Sequence, residues 1–319
     1  MSYLVLARKF RPQQFSAIVG QEHITRAMVN AIVRGRVPHA FLFCGPRGVG
    51  KTTAARVLAR ALNCTGREIP GEKNDLSEEE LCARVEPCGQ CSNCLEISKS
   101  SSMAVWEIDG ASNNSVDNVR ELIESLRSLP PPGSNYKIYI IDEVHMLSVA
   151  AFNALLKSLE EPPPNTIFIF ATTEPHKIPE TVISRCQRHD FRRLSSEVIS
   201  QRLQEIAQEE GLNAESEVFE FIARKVRGGM RDAQSMLDRL IAFSKDEVSL
   251  KDAQQVFGAV DQGFYFDLSA AVLKQDAAQC FTLINEAFSE SIDTRLFIGD
   301  FLKYWRSLLL VSLSGGKLS

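Results

Sequence analysis

Three groups of residues in this chain have the types and spacing that do chemistry. The first is Gly45-Pro46-Arg47-Gly48-Val49-Gly50-Lys51-Thr52, followed by Thr53, which fits the pattern G-x-x-x-x-G-K-[ST]. Glycines there let backbone N–H groups converge on phosphate oxygens, and a helix N-terminus favours negative charge. Lys51 would reach the terminal phosphates of a nucleoside triphosphate, and the Thr52 hydroxyl would ligate Mg²⁺. The second group ends the apolar run Ile138-Tyr139-Ile140-Ile141 with Asp142-Glu143. A buried strand that stops in two acids sets them at the carboxyl edge of a parallel sheet, where ligands bind. Asp142 would hold Mg²⁺, directly or through water, and Glu143 would orient and deprotonate the attacking water. Taken together the two motifs predict ATP hydrolysis rather than nucleotide binding alone.

The third group is Cys88-Gly89-Gln90-Cys91-Ser92-Asn93-Cys94. Thiolates at this spacing wrap a tetrahedral Zn²⁺, and four of them leave no open coordination position, which makes the metal structural. The residues alone leave the fourth ligand open between Cys64 and Cys82. An iron–sulfur centre or a redox dithiol is the rival reading. Cys44, Cys186 and Cys280 read as isolated, mostly buried thiols.

These groups need a scaffold. The first 195 residues alternate short β-like runs with helical patterns, which predicts an α/β sheet of parallel strands. Its candidate strands are 40–44, 105–108, 137–141 and 166–171, with a helix over 53–62 behind the glycine-rich loop. Pro130-Pro131-Pro132-Gly133 and Pro162-Pro163-Pro164 punctuate it. The charged stretch 65–87 reads as an exposed loop. From 196 onward strand runs disappear. Helices over 196–210, 214–226, 229–244 and 250–257 predict a small helical domain at 196–258. Helices over 264–274, 276–289 and 293–313 predict a third region, 259–319, ending in a frayed tail.

Composition excludes several classes. The 319 residues are 44% hydrophobic and 24% charged with net charge −4, so no global basic field recruits nucleic acid. No apolar run approaches the ~20 residues that span a bilayer, and the first residues are no signal peptide, which predicts a cytoplasmic protein without membrane contact. Eight cysteines then read as thiols or ligands rather than disulfides.

Other positions carry two readings each. Thr172 and Thr173 end a strand, where a hydroxyl could sense the γ-phosphate or cap the next helical turn. Arg185, in Ser184-Arg185-Cys186, is a finger for a neighbour's ATP or a plain surface arginine among Arg188, Arg192 and Arg193. Arg231, in Gly229-Met230-Arg231-Asp232-Ala233, reaches the γ-phosphate or pairs with an acid. His145 couples the site to a partner or is solvated. Ser112, Asn113, Asn114 and Arg120 lie at the start of a helix over 116–129; they contact a DNA backbone or merely cap the helix.

The whole set of motifs resembles the AAA+ clamp loaders, and more closely those of the bacterial DNA polymerase III holoenzyme. It includes Arg11-Pro12 with Val19-Gly20-Gln21-Glu22, the 45–53 loop, Asp142 to Leu147, Ala154 to Pro162, Ala171 to Pro175, Ser184-Arg185-Cys186 and Gly229 to Ala233. The resemblance covers essentially the whole chain. It implies an α/β P-loop AAA+ domain with a zinc module (1–195), a helical lid (196–258) and a helical collar (259–319), the last incomplete because such proteins continue further. It implies Arg185 as a finger acting in trans, Arg231 as the lid sensor, and one of Thr172 and Thr173 as the strand sensor, with Thr173 the favoured one. It also implies that segments 8–11 and 18–20, Arg11 and Val19 among them, line the adenine pocket, and it favours Cys64 as the fourth metal ligand. The implied activity is ATP-driven loading of a sliding clamp onto primer-template DNA by a hetero-pentameric ring. A helicase or branch-migration motor and a non-hydrolysing scaffold subunit are the alternatives. The zinc module speaks against the first, and the intact Lys51, Thr52, Asp142 and Glu143 against the second.

Overall fold

A computed structural model describes residues 4–67, 83–113, 116–126, 128–243, 247–258, 262–289 and 294–314. The chain divides into two compact units. The first holds Met1–Arg202 and Ala223–Ser235; the second holds Leu203–Ile222 and Met236–Ser319.

The first unit is built on a five-stranded sheet of order β2-β3-β4-β1-β5, in which every pairing is parallel. Its strands are β1 (Ala40–Cys44), β2 (Val105–Asp109), β3 (Lys137–Asp142), β4 (Thr166–Thr172) and β5 (Gln187–Asp190). Side chains alternate between faces, so each strand feeds two cores. Phe41, Phe43, Ile138, Ile140, Ile167 and Ile169 pack one way, against Leu58 and Leu62 of the Lys51–Asn63 helix. Leu42, Tyr139, Ile141, Phe168 and Phe170 pack the other way, against Phe152, Leu155 and Leu159 of the Val149–Glu160 helix. Helices on both faces explain why β1 and β4 read as unbroken apolar runs: all of their residues are buried.

β5 has no such run. Only His189 of its four residues is buried, stacking on Phe41 at 5.9 Å between ring centroids. Its remaining polar positions suit an edge strand, where charge discourages pairing with another chain. The expectation of a helix over 116–129 is shortened, because this helix ends at Ser125. The described end of the 65–87 stretch is also not simply exposed, since Val85 is fully buried in the first core; residues 68–82 lie outside the described part.

The second unit holds the helices Gln262–Leu273, Ala277–Ser289 and Thr294–Leu313 in a bundle around Tyr265, Leu268 and Phe297. Tyr265 stacks at 5.8–6.0 Å on Phe297, Phe301 and Tyr304. Strands do not vanish after residue 196: Asn213–Ala214 and Glu247–Val248 form a two-residue parallel ladder. Such a pair is too short to leave a periodic signal in sequence. Ser249 then opens Leu250–Val256 with a reciprocal capping box to Asp252.

Candidate functional site

The carboxyl edge of the large sheet collects the chemistry. Parallel pairing sets Asp109 beside Asp142, and Cys44, just before the glycine-rich loop, beside Thr172. The loop leaves β1 and enters the Lys51–Asn63 helix through Gly45, Gly48 and Gly50, all at positive φ. A cavity of about 440 Å³ opens there, within the first unit. Arg47, Gly48, Val49, Gly50, Lys51, Thr52 and Thr53 line it, with Asp142 and Glu143 from β3 and its end. Arg11, Val19 and Ile18 form another part of its wall, and Arg231 completes it.

Inside the cavity several polar groups are already paired. The Lys51 ammonium is buried and donates to the carbonyls of Gly45 at 2.7 Å and Pro46 at 2.8 Å. Burial holds its pKa below that of an ordinary lysine, while Glu143 and Asp142 oppose the shift. A triphosphate would supply the missing counter-charge. The Thr52 hydroxyl donates to Oδ2 of Asp142 at 2.6 Å, so the two oxygens that would share a divalent cation stand together. Oδ1 of Asp142 accepts the backbone N–H of Glu143 at 2.9 Å. Glu143 itself sits in the left-handed region at φ 46°, turning the chain sharply out of β3. Its Oε2 accepts from the Thr173 hydroxyl at 3.0 Å. Thr172, by contrast, is fully buried and faces His145.

The cysteine group lies beyond the far end of the same helix. The sulfurs of Cys64, Cys88, Cys91 and Cys94 all fall within 4.8 Å of one another. Two of the pairs, Cys88–Cys94 and Cys64–Cys91, are 4.0 Å apart. Tetrahedral zinc with Zn–S near ~2.3 Å requires sulfurs about 3.8 Å apart, so the spacing fits the ion. Backbone N–H groups of Cys88, Gln90 and Cys91 point at sulfur, as they do around thiolates. Cys82 lies outside the described residues.

Three family models tile the chain: "DNA polymerase III, delta subunit" over residues 20–195, "DNA polymerase III clamp loader subunit, ATPase lid domain" over 198–246, and "DNA polymerase III subunits gamma and tau domain III" over 248–318. The chain is 45% identical over 316 residues to the tau subunit of Bacillus subtilis, covering 99% of this chain and 53% of that protein. It is 39% identical over 318 residues to the Escherichia coli tau subunit, covering 100% of this chain and 47% of that one. A gamma subunit of Buchnera aphidicola is 39% identical over 304 residues, with 95% of this chain and 80% of that one covered. The chain belongs to the gamma/tau family of DNA polymerase III clamp-loader subunits. It spans about half the length of the two tau subunits. Among solved structures, the Thermotoga maritima RuvB Holliday junction branch migration motor superposes with a TM-score of 0.56 at 18% identity, covering 82% of this chain and 79% of that one. That likeness shows a shared fold and nothing narrower.

The remaining sequence candidates of this gamma/tau chain fall in different places. Arg185 is absent from the cavity wall. Its guanidinium donates to the Thr181 carbonyl and to Glu160, both at 2.7 Å, with its side chain 34% exposed. Arg231 lines the cavity, and its backbone N–H meets the Gly48 carbonyl at 3.4 Å. Ser112 and Asn113 fold back on Asp109, the former through its hydroxyl at 3.0 Å and the latter through its amide at 3.1 Å. Asn114 and the side chain of Arg120 lie outside the described residues. His145 is not solvated: its side chain is 6% exposed. Of the other thiols, Cys44 is buried and Cys186 and Cys280 are half-buried.

Some participants left no signal in the sequence. Glu86 accepts the backbone N–H groups of Phe15 and Ser16, each at 2.8 Å, tying the start of the cysteine group to the segment before Val19. Arg60 donates to the Gln13 carbonyl at 2.8 Å from the helix side. A glutamate before a cysteine and an arginine on a helix look like solvated charges until the fold closes around them.

Proposed function

We propose that the chain is the ATP-hydrolysing subunit of a clamp loader, which uses ATP binding to hold a sliding clamp open and DNA-triggered hydrolysis to release it onto primed DNA. One observation carries the reading: Thr52, Asp142, Lys51 and Glu143 converge on one cavity, with the cation-binding oxygens 2.6 Å apart. ATP would place its phosphates against the 45–53 loop and its base against Arg11 and Val19. Mg²⁺ would be held by Thr52 and Asp142 and would neutralise charge on the phosphate oxygens. Glu143 would take the proton of the attacking water, with Thr173 holding its carboxylate. Arg231 would contact the γ-phosphate from its own chain.

Arg185 is the proposed finger for the neighbouring subunit's ATP. It stands outside its own cavity, held by Glu160, which supports a role in trans. The AAA+ domain, lid and collar are assigned to 1–195, 196–258 and 259–319. Exposed Leu302, Leu309 and Leu313 on the Thr294–Leu313 helix suit assembly of a hetero-pentameric ring through the collar. Cys64, Cys88, Cys91 and Cys94 are assigned to a structural Zn²⁺. Ser112, Asn113, Asn114 and Arg120 are assigned to the DNA backbone. No described helix is long and apolar enough to cross a membrane, and a cytoplasmic location suits a replication subunit.

The test is ATP turnover by the chain alone, then with partner subunits, clamp and primed DNA. A strong rise confined to the complete mixture is expected. Lys51→Ala should abolish nucleotide binding. Arg185→Ala should lower turnover of the assembly by roughly 10³-fold or more without loss of nucleotide affinity. Full turnover in the Arg185→Ala assembly would rule out the finger.

A further inference from the structure

His145 follows the two acids of β3 closely, and its ring is clasped from both sides. Nδ1 lies 3.0 Å from the Thr172 hydroxyl and 3.4 Å from Oε2 of Glu143. Nε2 lies 3.2 Å from Oε2 of Glu174. Glu174 is fixed in turn: Lys177 donates to it at 2.8 Å, and its own backbone N–H donates to the Thr172 hydroxyl at 3.0 Å. His176 faces its other oxygen at 3.9 Å. A connected row of polar groups therefore runs from the exposed turn Pro175–Lys177 through Glu174 and His145 to Glu143.

At the inner end, Oε2 of Glu143 is fully engaged. It accepts from the Thr173 hydroxyl at 3.0 Å and from the Thr173 N–H at 3.3 Å, and it faces the His145 ring. Its other oxygen, Oε1, has no protein partner among the described residues, and Glu143 lines the cavity. The carboxylate cannot rotate without giving up the contacts on Oε2. A base that is itself oriented by a third group is the arrangement that positioned catalysis requires.

We propose that His145 is a positioning residue for Glu143, locking the carboxylate so that Oε1 is presented to the attacking water. The inference rests on the reading of Glu143 as the general base. His145 does not line the cavity; it acts through Glu143, and Glu174 and Lys177 fix its ring from outside.

The experiment compares wild type, H145A, H145Q and E174Q in the assembly with partner subunits, clamp and primed DNA. It reads kcat and KM for ATP, affinity for a non-hydrolysable analogue, and thermal unfolding. H145A should lower kcat about tenfold or more, while KM and analogue affinity stay within about twofold. H145Q, whose amide can still donate to a carboxylate, should recover part of the loss. E174Q should show a smaller fall in kcat, again at constant KM. E174Q changes only a partly exposed side chain, so it tests the row even where H145A fails to fold. A kcat unchanged in both H145Q and E174Q, or a loss that follows nucleotide affinity instead of kcat, would overturn the proposal. A wild-type assembly that does not turn over ATP would sink the proposed function itself, which separates the two failures.

Discussion

Gly45 shows how little freedom the phosphate loop has at single positions. Its φ is 149°, and a Cβ there would meet the Phe191 carbonyl oxygen at 2.6 Å and the Phe191 Cβ at 2.8 Å. Both obstacles belong to the chain just after β5 and cannot swing aside. Gly45→Ala should therefore push the loop off the sheet edge and displace the carbonyl that Lys51 leans on. We expect loss of nucleotide binding together with a destabilisation of about 1–3 kcal/mol, read by analogue titration and chemical denaturation. Gly50, at φ 101°, has open space where a Cβ would stand, with no atom within 4 Å, so backbone strain alone opposes substitution there. Residue types announced this loop in the sequence, because its glycines, lysine and threonine fall at the spacing that a phosphate cradle needs. His145 was the opposite case. Its neighbours in sequence say nothing about Glu174 and Thr172, which reach it from the end of β4 and just beyond, so its burial became visible only in three dimensions.

At the scale of elements, legibility followed burial except in β2, which read as a strand although none of its residues is buried. β1 and β4 lie buried along their whole length, β3 nearly so, and all three stood out as apolar runs. β5 is exposed at three of its four positions and gave no strand signal, yet it pairs with β1 and ends at Asp190 beside Cys44. The helices after residue 196 were legible as helical runs, whereas the two-residue strands between them were not. The cysteine group was legible as a set of thiols that could hold a metal but not as a support. Through Glu86 it holds the amides of Phe15 and Ser16, and so the segment that leads into Ile18 and Val19 of the cavity. Glu86→Ala leaves the part-buried Phe15 amide unpaired and should cost about 1–3 kcal/mol, with weaker nucleotide binding at unchanged cysteine chemistry. Metal analysis of the purified protein should give about one zinc per chain, and stripping it with a chelator should reproduce the Glu86→Ala loss of affinity. Full nucleotide affinity in a metal-free, folded protein would disconnect the two.

For the whole molecule, the proposed catalytic centre is shared between neighbouring chains. Net charge is −4, so the DNA binding proposed for the assembly would arise from local surfaces rather than from this chain's overall field. The cavity brings together the phosphate loop, the acids and Arg231, but Arg185 is tethered elsewhere by Glu160. One consequence concerns mixtures. If each guanidinium serves the copy next door, a defective Arg185→Ala chain keeps a competent pocket and silences its neighbour's, whereas a Lys51→Ala chain silences its own. Blending either variant with normal chains should then poison rings from opposite sides, and a blend of the two alone should regain turnover wherever a Lys51→Ala copy lends its arginine to an Arg185→Ala partner. Such crosswise rescue is measurable in steady-state phosphate release, and it cannot occur if every subunit works alone.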